Sequence, residues 1–534
     1  KAEKKKRKNK GEDLPEKSTQ EQEDQIRTPH VTELNDVTVN KPKKLYRNMV
    51  RSFKAAVSSR LNSKWPSMPI SADIVIERNQ RILVARSREQ CSNNDYAKNY
   101  VRMVHQNIVG PTGVTLQAQV KNSAGKLDAQ ANDALEFAWS DWSKKENCDI
   151  QSKKTWRSIQ RTCVVSAAKD GEFFARIVRG GDAGPWGFSL QLIDAQRCPI
   201  DYNAKLKNGR FIRQGIEFNT YGKPIAYYFN ATDGDDVYYR TATNNYTRVE
   251  ASDVIHGFLE DMVGQKRGLP WTSTSLFRLH QISEFEDSAI VNARVSANKM
   301  GFIQWREGFG PKFEEDDEIQ IESQAGEFPM LPEGAELKEW SPNYPTGEFL
   351  PFHKAMLRSM AAGMGVLYNN LASDLENVNF SSIRQGTLDE REHWKELQQW
   401  LIETLIEPVF FEWLKYSLLK GHIKKKNGSS YQALELDRLS KVSWQARRWT
   451  WIDPSSEVAA AEKAKNNMLT SPGSVIREQG KDPQTVWAEA ARDLKTMKDE
   501  YINQGFTAET AEEMVLASMG RKQAGAVGRP KESM

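Results

Sequence analysis

STSLFRLHQISEFEDSAIVNARVSANKM, residues 273–300, decides how the rest of the chain is read. Leu276, Leu279, Ile282, Phe285, Ala289, Ala293, Ala297 and Met300 recur every three or four residues, the spacing of one helical face. At 1.5 Å per residue the pattern predicts a helix of roughly 40 Å that stops at Gly301. Its small residues, Ala289, Ala293, Ser296 and Ala297, would admit a second helix at close range. Residues 302–350 change to short strands and turns rich in Gly and Pro. They include the acidic run Glu314, Glu315, Asp316, Asp317 and Glu318 and the alternating Ile319 and Ile321. A second helix is expected from about Phe352 to Leu367, and the polar stretch 369–382 reads as a loop. A very long helix follows over 385–420, which Pro408 should kink or divide. Two helices joined at one end by a small module make a rod that cannot cover its own apolar stripe. Such a rod needs identical neighbours, in a ring or a bundle.

Upstream, the pattern is mixed. Helices are expected over 46–61, 71–93 and 95–109, the last stopped by GPTG at 110–113. VTLQAQV at 114–120 alternates as a half-buried strand. Further helices are expected near 128–145 and 154–169, then strands over 172–179 and 189–193. A meander over 212–219, 223–229 and 236–239 turns at NTYG, 219–222. Downstream, residues 454–518 read as helical hairpins, with Asp482 as an N-cap ahead of Pro483. The fold class is α+β.

The 534 residues suggest about three or four structural units at roughly 150 residues each. Residues 1–50, with KKKRK at 4–8, and 519–534 are too polar to offset their ordering entropy and are expected to be disordered tails. The 75 basic and 71 acidic residues leave a net charge of only +4, which excludes a uniformly basic nucleic-acid wrapper. Cys91, Cys148, Cys163 and Cys198 form no CxxC pair and read as buried thiols of a reducing compartment. The longest charge-free stretches, 103–120 and 359–373, are Gly/Pro-broken or too short to span a bilayer, so no membrane role is expected.

No constellation for catalysis stands out. GxSxG, P-loop and HExxH patterns are absent, and His256, His280, His353 and His393 have no metal-spaced companion. The acidic run 314–318 suits a two-metal nuclease only if matching carboxylates join it; a solvated or partner-facing patch is the favoured reading. Trp139, Trp142, Trp444, Trp449 and Trp451 are read as core or interface aromatics in preference to base-stacking platforms. No enzyme activity, metal or cofactor is expected. A metal-dependent nuclease or packaging enzyme and a helical protein-binding adaptor remain as alternatives.

Several stretches, in order, resemble the lambda-type portal proteins of tailed bacteriophages. They include ARSREQCSNNDYAKNYVRMVHQNIVGPTG at 85–113, IEFNTYGKPIAYYF at 216–229 and VIHGFLEDMVGQKRGLPW at 254–271. KMGFI at 299–303 and SDLENVNFSSIRQGTLDERE at 373–392 follow, then WIDPSSEVAAA at 451–461 and SVIREQGKDPQTV at 474–486. The resemblance implies a portal-type ring subunit with an α+β wing, a long helical stem, a small β-containing clip and a helical crown. The wing would take 51–271 and 383–450, the stem 272–300 and 352–368, the clip 301–351, the tunnel loop 369–382 and the crown 451–518.

The same resemblance implies a homo-oligomeric, usually dodecameric ring at a capsid vertex, assembled in the host cytoplasm, that passes double-stranded DNA during packaging and ejection. Implied partners are the large terminase subunit, major capsid and scaffolding proteins, and a head-completion or tail adaptor. Asn377, Asn379, Ser381 and Ser382 are the expected DNA-facing loop residues, small and polar so that they touch backbone without fixing sequence. Glu284, Asp287, Arg294 and Lys299 are candidates for the stem lumen, and Glu314–Glu318 for clip partners. Phe380 is expected to be a buried anchor of the loop.

Overall fold

The computed structural model describes residues 60, 66–230, 246–297, 301–308, 334–339, 347, 349–376, 378–450 and 452–518. Residues 1–69 group apart from a compact unit that begins at Ile70. The helix expected over 46–61, the strand at 236–239, the acidic run and Trp451 lie outside the described residues.

The unit opens with α1 (Ala72–Asn93) and α2 (Asp95–Ile108). Asn94 joins them: its N–H closes α1 on Gln90 O at 2.8 Å, and its Oδ1 caps α2 by accepting from Ala97 N at 3.0 Å. Next come β1 (Thr115–Ala118), α3 (Ala129–Trp142), α4 (Lys145–Cys148) and α5 (Trp156–Asp170). Asp128 caps α3 and Thr155 caps α5. Eight strands follow: β2 (Glu172–Arg179), β3 (Phe188–Ile193), β4 (Ala204–Lys205), β5 (Phe211–Arg213), β6 (Ile216–Phe218), β7 (Pro224–Asn230), β8 (Tyr246–Glu250) and β9 (Val254–Phe258). They form two antiparallel sheets, ordered β3-β2-β9 and β4-β5-β6-β7-β8.

The single strand expected over 212–219 is two. Gln214 and Gly215 both adopt positive φ, 53° and 79°, and fold the chain back between β5 and β6. NTYG does turn the next hairpin, with Asn219 N–H bonded to Lys223 O and Gly222 N–H to Asn219 O.

The second half contains α6 (Leu276–Ala297), the antiparallel pair β10 (Gly301–Trp305) and β11 (Ala335–Glu339), α7 (Phe349–Gly363), α8 (Tyr368–Ala372) and α9 (Phe380–Leu401). A π-helical turn at Ile402–Ile406 separates α9 from α10 (Glu407–Lys420). Pro408 therefore divides the long helix one turn ahead of itself, because it cannot donate to the ladder and crowds the preceding turn. After α11 (Leu436–Leu439), β12 (Val442–Gln445) pairs antiparallel with β1 across more than three hundred residues. Four helices, α12 (Pro454–Asn466), α13 (Pro472–Glu478), α14 (Pro483–Asn503) and α15 (Ala508–Ser518), complete the described chain. Asp482 caps α14 as expected, accepting from Thr485 N at 2.8 Å.

The main core lies among α2, α3, α5, β2, β3 and the α9–α10 rod. Trp139 packs 4.8 Å from Trp142 and 4.9 Å from Trp413 between ring centroids, with Trp156, Phe410 and Trp444 around them. Trp139 and Trp142 are core and Trp444 packs against it, in line with the reading of these large aromatics as core or interface residues. A smaller core of Phe174, Phe218, Tyr227, Phe229 and Val249 lies under the five-stranded sheet. All four cysteines are buried free thiols. Among the described residues no helix is long and apolar enough to cross a membrane.

Candidate functional site

The helices α6 and α7 pack together through only part of their lengths. Leu276, Leu279 and Ile282 of α6 are buried, as are Leu357, Met360 and Ala361 of α7. Polar contacts reinforce this junction: Ser275 Oγ donates to Met360 O at 3.2 Å and Arg278 Nη1 to Ser359 Oγ at 2.6 Å. One turn further, Glu286 meets His353 Nε2 at 2.6 Å and Tyr96 OH at 3.3 Å. Beyond that, the apolar stripe is open, with Ile290 and Val291 about half exposed and Phe352 and Leu350 likewise on α7. Glu284, Asp287 and Arg294 all face solvent on this stretch, and Lys299 lies outside the described residues.

The segment between α7 and α9 is shorter as a loop than expected. Val366 N–H closes α7 on Ala361 O at 3.0 Å, and the chain then forms the short α8. Residues 369–372 are therefore helical, not loop, and α9 begins at Phe380, so Ser381 and Ser382 occupy the first turn of a helix. Asn379 is its N-cap, with Oδ1 accepting from Ser381 N at 3.0 Å. This side chain was expected to reach for a ligand; its oxygen is instead engaged by backbone. Asn379, Ser381 and Ser382 are exposed, and Asn377 lies outside the described residues. Phe380 is 59% exposed, which overturns its reading as a buried anchor: it is an apolar ring presented to solvent.

The anchor is polar. Asp374 Oδ2 accepts from Tyr368 OH at 2.6 Å and pairs with Lys354 Nζ at 3.0 Å, while Oδ1 takes Glu376 N–H at 3.0 Å. The Tyr368 hydroxyl, the Glu376 amide and the Lys354 ammonium hold its carboxyl down to about 2. Arg358 lies over the Tyr368 ring at 5.4 Å. From α2, Asn99 Nδ2 donates to the carbonyls of Asn370 and Leu371 at 3.0 and 2.8 Å. Asn370 in turn donates to Glu390 Oε2 at 2.5 Å, and Trp394 Nε1 to Glu390 Oε1 at 3.2 Å. Residues 368–376 are thus pinned by polar contacts, and the exposed Asn379, Phe380, Ser381 and Ser382 at the start of α9 face outward. Sequence reading missed Asp374, Lys354 and Asn99, since their partners are set by packing; the Ser373–Asp374 pair marked only a turn.

Among the described residues no cluster of three or more His, Cys, Asp or Glu is placed to hold a metal. The acidic run on which a nuclease site would rest lies outside them.

Residues 58–398 match the family described as "Phage portal protein, lambda family". The chain is 33% identical over 459 residues to the "Probable portal protein" of Halomonas phage phiHAP-1, covering 84% of this chain and 87% of that one. It is 21% identical over 460 residues to "Portal protein B" of Escherichia phage lambda, covering 77% and 82%. Among solved structures, a chain in the neck of an empty gene transfer agent particle aligns over 76% of this chain and 94% of its own, at 13% identity and a TM-score of 0.41. The family match runs from ahead of α1 to the last turn of α9 and takes in α6, α7 and the turn between α7 and α9, so the chain belongs to the lambda family of phage portal proteins.

Proposed function

We infer that this chain is one subunit of the ring-shaped portal through which double-stranded DNA enters and leaves a phage capsid. Passage of DNA through a channel is the general function of the family to which it belongs. The observation that carries the reading for this molecule is the α6–α7 pair, whose outer apolar residues Ile290, Val291, Leu350 and Phe352 stay about half exposed among the chain's described residues. An apolar stripe of this kind is stabilised by burial against neighbours, and a closed ring buries it on every subunit.

Within that ring, the displayed end of the turn, Asn379, Ser381 and Ser382, is assigned to face DNA, together with Asn377. Neutral hydroxyls and amides suit sliding, because each cationic phosphate contact adds a salt-sensitive hold on the strand. Glu284, Asp287, Arg294 and Lys299 are assigned to the stem lumen. The antiparallel pair β10–β11 and the run Glu314–Glu318 are assigned to the clip, which would dock the terminase motor and later the head-completion adaptor. The capsid and scaffolding proteins would surround the wing.

One packaging assay tests these roles. Capsids carrying Asn379→Lys, or Lys in place of all five acids at 314–318, are expected to assemble with rings but to hold less DNA per particle. Wild-type DNA content in both variants would refute the loop and clip assignments.

A further inference from the structure

Where β12 leads toward the last helices, three arginines converge beside a single nearby acid, Glu457. Arg391 comes from α9, and Arg447 and Arg448 follow β12; with Trp449, Thr112 and Thr115 they line a cavity of about 420 Å³. Trp449 stands between two of them, its ring centroid 5.7 Å from the Arg391 guanidinium and 6.0 Å from that of Arg447. Among the described residues none of the three makes an ion pair. Glu457 acts on Arg391 through its charge, but its ion pair and hydrogen bond go to Arg384 at 3.5 Å and to the Ile452 amide at 3.2 Å. The Nε atoms of Arg391 and Arg448 are buried and have no hydrogen-bond partner. An unsatisfied buried donor on a cation is costly, so such a pair favours binding of an anionic acceptor.

The site is held in shape. Arg447 donates to Asn107 Oδ1 at 3.0 Å and to Gln106 O, while Arg391 Nη2 donates to Thr450 O at 3.2 Å. Gly110 and Gly480, both at positive φ, let the arginine stems pass. A Cβ at Gly110 would lie 3.1 Å from Arg447 Cβ, and one at Gly480 3.0 Å from Arg448 Cγ. Burial lowers the pKa of both Arg391 and Arg447, and the Arg391 charge adds to the effect on Arg447; both nonetheless remain charged.

We propose that this cavity is a phosphate-binding site that takes a phosphodiester group of the packaged DNA. Three guanidinium forks arriving from two elements match a tetrahedral anion, which offers oxygens in several directions. A planar carboxylate satisfies one fork. The faces of Trp449 are flanked by guanidiniums, so the site grips backbone and not a base. The DNA source rests on the portal reading; the phosphate site does not.

The test uses the full chain with two probes. Inorganic phosphate is expected to raise the wild-type thermal midpoint above that in chloride of equal ionic strength, and to have no such effect on Arg448→Gln. Arg448→Lys, which keeps charge without the fork, is expected to fall between. With a short duplex, the slope of log K against log salt is expected to become shallower in Arg448→Gln, by about 0.9 for each DNA phosphate that the variant no longer holds. The midpoint in chloride alone checks that the variant folds. No phosphate effect on wild type would overturn the site. A phosphate effect with an unchanged DNA slope would overturn the DNA source, and loss of rings in Arg448→Gln with phosphate binding intact would assign the cavity to a neighbouring subunit's acid instead. Rings absent from wild type would fail the portal reading and leave the phosphate arm standing.

Discussion

Glu172 enters the core as the first residue of β2, fully buried, and its carboxylate meets the equally buried Arg267 through contacts of 2.6 and 2.9 Å. Gln80 and His256 complete the shell, and Arg267 spends its remaining donors on the carbonyls of Gln214 and Cys198. Burial would push the Glu172 carboxyl up, but the Arg267 charge and the His256 hydrogen bond outweigh it and hold the group at about 2. Glu172→Gln strands a buried guanidinium, and a loss of about 3–5 kcal/mol is expected in urea unfolding. Burial also lowers the His256 pKa against the pull of the Glu172 carboxylate, so the fold disfavours the protonated ring. Both shifts are downward, so both stabilise at neutral pH and are lost as acid is added. The His256 contribution fades below its unfolded value of about 6.5. That of Glu172 fades from about 4.5 toward about 2. The thermal midpoint should therefore fall in two stages, the upper one absent in His256→Gln; a flat midpoint from pH 7 to 3 would contradict the network. At this scale sequence says little. Caps such as Asp482 and the isolated cysteines were legible because they depend on neighbours in the chain. The Glu172–Arg267 pair, 95 residues apart, was not.

Elements were more legible than their partners. The 3.6-residue spacing located α1, α2, α5 and α6, and Pro408 announced the break that the π-turn accommodates. Pairing of β1 with β12 carried no local signal, and β8 and β9 were missed because their strands are short and flanked by a helical turn. The loop of 369–382 was over-read: polarity marked it as irregular, yet Asn and Ser also cap helices, and Asn379 does so. The α10 end of the rod is joined to α3 at Trp413, whose ring lies 4.9 Å from Trp139 and 5.7 Å from Phe410. Trp413→Ala is expected to lower stability by about 3–5 kcal/mol, read from the denaturant midpoint of the near-ultraviolet signal. A loss below about 1 kcal/mol would show that the α10 rod is not fastened there.

For the whole molecule, near-neutral charge and the half-exposed apolar end of the α6–α7 pair fit the same proposed design. A net charge of +4 on 534 residues gives no general grip on DNA, which suits a conduit. Basic groups gathered in one sheltered cavity, beside α9 and not along the displayed turn, would hold a strand locally while leaving passage free. The half-exposed apolar residues of α6 and α7 are the surface on which the proposed ring would be built. Electron microscopy of the purified protein is the most direct test: closed rings with an axial channel wide enough for duplex DNA are expected, whereas a monomer at high concentration, or a closed assembly without a channel, would contradict the account.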